Sequence, residues 1–247
     1  LANTIVGLIP GLGLDLSSAL SAAEQIPTLL SRQTIPNQGY DVDGVDRVIT
    51  LESGDTNYVF NGPWEGTFMD LSPKYAWLLR VVLIYGYAFL FVYWMLRGYF
   101  VYRENSRYAD WTPRDDVVNR LRNHRWGQFG FVVVFMFLTM AIFAPALGPT
   151  TVAANIENPY EHEVTYTNPD TGEQEQIIVG TANLAAASNG AGIKNTGPWQ
   201  YDEHSRFHPF GTLPTPGKDL FTFMAAGARI SLFIGLTAIG ISGFFAV

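Results

Sequence analysis

The sequence predicts an all-α integral membrane protein of the multi-pass helical kind, with small β-containing segments outside the bilayer. Three observations predict it. Twenty-one residues from Gly127 to Leu147 and eighteen from Ile230 to Val247 carry no charge, and Tyr75 to Leu96 carries only Arg80; such runs are long enough to cross the hydrocarbon core. Aromatic residues (Tyr75, Trp77, Tyr93, Trp94, Tyr99) gather towards the ends of the first run, where amphipathic rings favour the membrane–water interface. Charge is segregated: residues 1–74 and 149–222 each hold three basic and nine acidic side chains, whereas 97–126 holds seven arginines and four acids.

That asymmetry sets an expected orientation. Arginine-rich loops are retained on the cytoplasmic side, so 98–126 is expected inside and both acidic regions outside. The domain plan is then an extracytoplasmic segment 1–74 and a transmembrane helix 75–97. A cytoplasmic loop 98–126, a transmembrane helix 127–148, an extracytoplasmic loop 149–222 and a last transmembrane helix 223–247 follow. The chain begins at Leu1 and ends inside an apolar run, so a piece of a longer polypeptide is expected. The net charge of −7 argues against a nucleic-acid partner, and the lack of cysteine removes thiol and disulfide chemistry.

Residues 1–31 are apolar but broken by Pro10, Gly7, Gly11 and Gly13. They read either as the end of an upstream span (1–14) followed by an interfacial helix, or as a surface helix. Arg47 to Leu51 and Tyr58 to Phe60 are rich in β-formers, with turn signals at Gly44, Ser53-Gly54-Asp55 and Asn61-Gly62-Pro63. Trp64, Phe68 and Met69 are expected to fill a small local core. Arg80 sits close enough to the start of its span to reach the interface. After Pro113, residues 115–125 have helical spacing. Met136 and Met140 share a helix face and read as packing residues. Glu163 to Thr167, a turn at 168–172 and Glu173 to Val179 read as a β-hairpin. The small residues between Gly180 and Gly197 predict a mobile or loosely packed stretch.

Candidate chemistry is sparse. His204 and His208, near Asp202 and Glu203, have metal-ligand spacing only on a helix, and Pro209 argues against one. No metal or other cofactor is therefore expected. There is no Gly-x-Ser-x-Gly elbow, His-Glu-x-x-His pair or phosphate-binding loop, and the spans lack an acid–base or nucleophile pair, so no enzyme is expected. On the last span Gly227, Ser231 and Gly235 recur at i, i+4 and i+8, placing small residues where another helix backbone can approach.

One composite pattern is more specific. His208-Pro-Phe-Gly-Thr212, Gly217-Lys-Asp-Leu220 and Gly227-Ala-Arg-Ile-Ser-Leu232 with Gly235 resemble the entry signature of permease subunits of dipeptide, oligopeptide and nickel ABC importers, in the C-type subunit. The resemblance covers about residues 113–247. Leu213 stands where that family usually has an acid, and Lys218 where it has arginine. The resemblance implies a transport subunit paired with a second homologous permease subunit. It also implies two ATP-binding subunits on the cytoplasmic side, an extracytoplasmic solute-binding protein and short peptides or similar solutes as cargo. His208, Pro209, Gly211, Thr212, Gly217, Asp219, Gly227, Arg229, Ser231 and Gly235 would then serve gating and helix packing. Read without the resemblance, the same chain could be a membrane-anchored scaffold or sensor whose outer segments bind a partner protein.

Overall fold

A computed structural model describes residues 32–43, 47–50, 56–60, 62–106, 112–187 and 195–245. The expected upstream span end and interfacial helix (1–31), and the turns at 44 and 53–55, lie outside the described residues.

Among the described residues three helices are long and apolar enough to cross a membrane. The first, α1 (Pro73–Asn105, 33 residues), is about 50 Å long. It starts at Pro73, a residue whose fixed φ suits the first helical turn. It continues beyond the apolar run because Arg97 to Asn105 contains no helix breaker other than Gly98. A short polar helix, α2 (Pro113–Asn123), follows. Its start is closed by a capping box in which the Asp115 carboxylate accepts from the Thr112 peptide N–H at 2.8 Å. Asp115 is fully buried beside Arg103, at 3.4 Å. The second long helix, α3 (Arg125–Ile142), begins where the His124 ring nitrogen accepts from Gly127 N–H. A four-residue turn of helix, α4 (Ala144–Leu147), continues it. The third long helix, α6 (Leu220–Phe245), ends the described chain.

The helices pack where their aromatic residues meet. Phe89 of α1 lies 4.6 Å from Phe135 of α3, ring centre to ring centre, and Tyr85 Oη donates to the Met136 carbonyl oxygen at 3.2 Å. Met140 leans on the buried core, while Met136 is 45% exposed. Elsewhere the long helices present large apolar side chains outward: Phe91, Trp94, Val134, Ile234, Leu236 and Ile239 are all more than half exposed. A surface of that kind is at home in lipid.

The described parts of both acidic regions fold together at one end of the helices as a single cap. Its strands come in antiparallel pairs: β1 (Tyr40–Asp41) with β4 (Trp64–Glu65), and β2 (Arg47–Thr50) with β3 (Thr56–Val59). The hairpin β5 (Glu163–Thr167) and β6 (Gln174–Ile178) aligns Glu163 with Ile178 and Thr167 with Gln174. The last pair is β7 (Gln200–Tyr201) with β8 (Phe207–His208). Between them come a π-helical turn (Ala153–Glu157) and a short helix, α5 (Val179–Ala185).

The cap core is aromatic and spans both regions. Phe60 and Trp64 from the first pack on Tyr201 from the second, at 5.4 and 5.8 Å. Trp77 of α1 touches Phe207 and Phe221. Trp64 is 3% exposed, but its core is shared across the chain rather than local to residues 32–73. Met69 departs from the expected core role: it is 78% exposed with φ of +52°. Polar ties add to this core. Thr167 Oγ1 donates to the Asp41 carbonyl oxygen, and Asn37 Nδ2 donates to that of Pro149 at 3.0 Å.

One expectation is corrected here. Residues 179–187 are not loosely packed. Residues 179–185 form α5 and 186–187 the turn after it, with Val179, Ala182 and Ala187 buried, because small side chains let this helix lie close against the π-helical turn. Residues 188–194 of the same stretch lie outside the described residues.

Candidate functional site

The loop from β8 into α6 brings six of the sequence-predicted residues together: His208, Pro209, Gly211, Thr212, Gly217 and Asp219, all buried. Asp219 is the centre. It precedes α6 and caps it, its Oδ1 accepting from Thr222 N–H at 2.7 Å, the third peptide donor that an N-cap carboxylate satisfies. Its Oδ2 faces His208 Nδ1 at 3.0 Å. Its backbone is gripped by Asn155, whose Oδ1 accepts from Asp219 N–H (2.8 Å) and whose Nδ2 donates to the Asp219 carbonyl oxygen (3.1 Å).

The rest of the loop is shaped around that cap. Gly211 and Gly217 have φ of +81° and +73°, a region open to glycine. A Cβ on Gly217 would overlap the Asn183 carbonyl oxygen. Thr212 Oγ1 donates to the Ala186 carbonyl oxygen at 3.0 Å and accepts from Thr196 N–H at 3.1 Å. Leu220 N–H donates to the Gly211 carbonyl oxygen and Leu213 N–H to that of Lys218, so the loop closes on itself before α6 begins.

His208 joins this cap to a second acid. Its Nε2 lies 3.2 Å from Asp202 Oδ2, so both ring nitrogens face carboxylate oxygens, an arrangement in which the imidazolium donates twice. Asp202 also takes Arg206 Nε at 2.7 Å and the peptide N–H groups of His204 and Arg206, and Arg206 Nη1 donates to Asn183 Oδ1 at 2.7 Å. Burial alone would push His208 towards its neutral form, but Asp202 and Asp219 outweigh it and hold the imidazole above its usual range. Burial likewise opposes the Asp202 charge, and Arg206 and His208 outweigh it, keeping that carboxyl well below the usual range. His204 lies apart from this bridge, edge-on to Tyr166 at 4.7 Å, and burial holds its imidazole below the usual value.

The geometry therefore makes a rigid charged latch, with Asp202, Arg206 and His208 on the β7–β8 hairpin and Asp219 on the helix cap. Among the described residues no cluster of His, Asp and Glu is arranged to hold a metal ion. Asp202, Arg206, Asn155, Asn183 and Thr222 complete the latch but were not singled out for it by sequence. The spacing of Asp202 and Arg206 around a tight turn was the available signal; Asn155 and Asn183 gave none. The other four predicted residues lie along α6 away from the latch. Among the described residues no atom from beyond the helix's own nearby turns stands within 4 Å of a Cβ built on Gly227 or Gly235, and Ser231 is exposed while Arg229 is half-buried.

Membrane-length helices with lipid-compatible surfaces, joined to a polar cap at one end, define a multi-pass helical membrane protein. Within it, residues 112–169 match the family model of the N-terminal TM domain of oligopeptide transport permease C. The matched stretch comprises α2, α3, α4, the π-helical turn and β5. No curated protein and no solved structure matches the chain.

Proposed function

We propose that this chain is one permease subunit of an ATP-driven importer of short peptides or similar solutes, and that it forms part of the transmembrane path. The observation that carries this reading is the permease-C domain match over residues 112–169. The latch of 208–222, with its resemblance to the family's entry signature, then leads from that domain into α6. In this reading the cap lies outside and α2 inside. The cap side meets a solute-binding protein, and two ATP-binding subunits and a second homologous permease subunit complete the assembly. The latch fixes where α6 starts and how it is angled; ATP hydrolysis belongs to the partner chains.

Affinity purification of the full-length protein from its native membrane tests the assembly. Two ATP-binding chains and a second permease should copurify, and deleting the gene should abolish uptake of labelled oligopeptides. Recovery of the chain without ATP-binding partners, with uptake unchanged in the deletion strain, would overturn the reading.

A further inference from the structure

The cap contains a second charged cluster that the latch does not use. Arg80, near the start of α1, is fully buried. Its Nη1 donates to the Ile35 carbonyl oxygen at 2.8 Å and its Nη2 to that of Gly148 at 2.9 Å. Arg32, on the segment before β1, donates to the same Gly148 oxygen at 2.6 Å and also to the Thr150 carbonyl oxygen. Two guanidinium ions thus share one acceptor. Arg32 Nε, Arg32 Nη1 and Arg80 Nε are enclosed and have no hydrogen-bond acceptor.

Among the described residues no carboxylate forms an ion pair with either arginine. Asp219 is the acid whose field reaches Arg32, and it is already engaged by His208 and the α6 cap. Asp202 and Asp219 face Arg206 and His208, and the buried Asp41 carboxylate accepts from the peptide N–H groups of Asp43 and Gly62. The oxygens that Arg32 and Arg80 do reach are neutral carbonyls, that of Ile35 before β1 and those of Gly148 and Thr150 just beyond α4, so none of these contacts neutralises a guanidinium. Burial, and then the positive charge of Arg80, push Arg32 down to about 9 against the opposing pull of Asp219.

We propose that Arg32 and Arg80 form a binding site for a small monovalent inorganic anion of the chloride class. A single-atom anion accepts from several N–H groups without bringing further oxygens against the carbonyls of Ile35, Gly148 and Thr150, as a phosphate or sulfate would. Its single negative charge offsets part of the positive charge of the pair. The bound anion tightens the joint between the segment before β1, the top of α1 and the turn after α4.

The test is thermal unfolding of the intact complex in sodium chloride against sodium gluconate at equal ionic strength. Chloride should raise Tm saturably, by on the order of 5 °C, and bromide should substitute and give an anomalous diffraction peak between the two arginines. Arg32→Glu supplies a carboxylate from the chain itself, so it should raise Tm in gluconate and abolish the chloride response. Arg32→Gln, which leaves Arg80 alone, should lose the response without that gain. Equal Tm in both salts for the unmodified protein, or a chloride response that persists in both variants, would overturn the site.

Discussion

The Asp219 carboxylate caps α6 and receives His208, while its backbone holds Asn155, so a side-chain substitution breaks the first two contacts and leaves the third. Asp219→Ala should destabilise the protein by roughly 3 kcal/mol, the sum expected for a lost cap and a broken buried pair, read as a fall in Tm. Gly217→Ala should cost about 2 kcal/mol or more, because it combines a left-handed φ with a clash against backbone. The pH dependence has a definite sign. The raised His208 pKa means that its bridge is fully formed below the unfolded value of about 6.5 and is lost as pH rises through the higher folded value. The lowered Asp202 pKa adds stability that is present above about 3.9 and lost on acidification. Tm should therefore fall on the alkaline side of neutrality, and His208→Gln should flatten that slope. An unchanged slope would show that the latch does not titrate. In the sequence the individual members of the motif were visible, but their partners were not, since Asn155 and Asn183 are ordinary amides until the chain folds back on them.

At the scale of the element, the long helices were legible because an uncharged run of that length has few alternatives in water or lipid. The hairpin β5–β6 was legible from its β-formers and its Asn168-Pro169-Asp170-Thr171-Gly172 turn. Residues 179–187 were misread because small side chains serve two opposite purposes: they loosen a loop or allow a helix to lie close to its neighbours. The small residues of α6 pose the same question. Among the described residues nothing packs on Gly235, so Gly235→Leu should leave the Tm of the purified chain within about 1 °C, as for an open surface position. If another subunit packs there, the same substitution should sharply reduce complex yield. Normal yield and uptake would remove the packing role.

At the scale of the whole molecule, the separate expectations for two acidic regions resolve into one cap, which the sequence could not announce because its aromatic core joins residues far apart in the chain. Externally added protease on intact cells should cut the exposed β5–β6 turn at 168–172 and spare residues 113–126; cleavage within 113–126 would reverse the orientation proposed here. The cap's construction also bears on how the protein is made. Arg32 meets its acceptors at Gly148 and Thr150 across 116 and 118 residues, with α1 and α3 both threaded between. The cap can therefore close only when both helices cross in matching directions: a chain with either one reversed would leave the two halves of the cap on opposite faces.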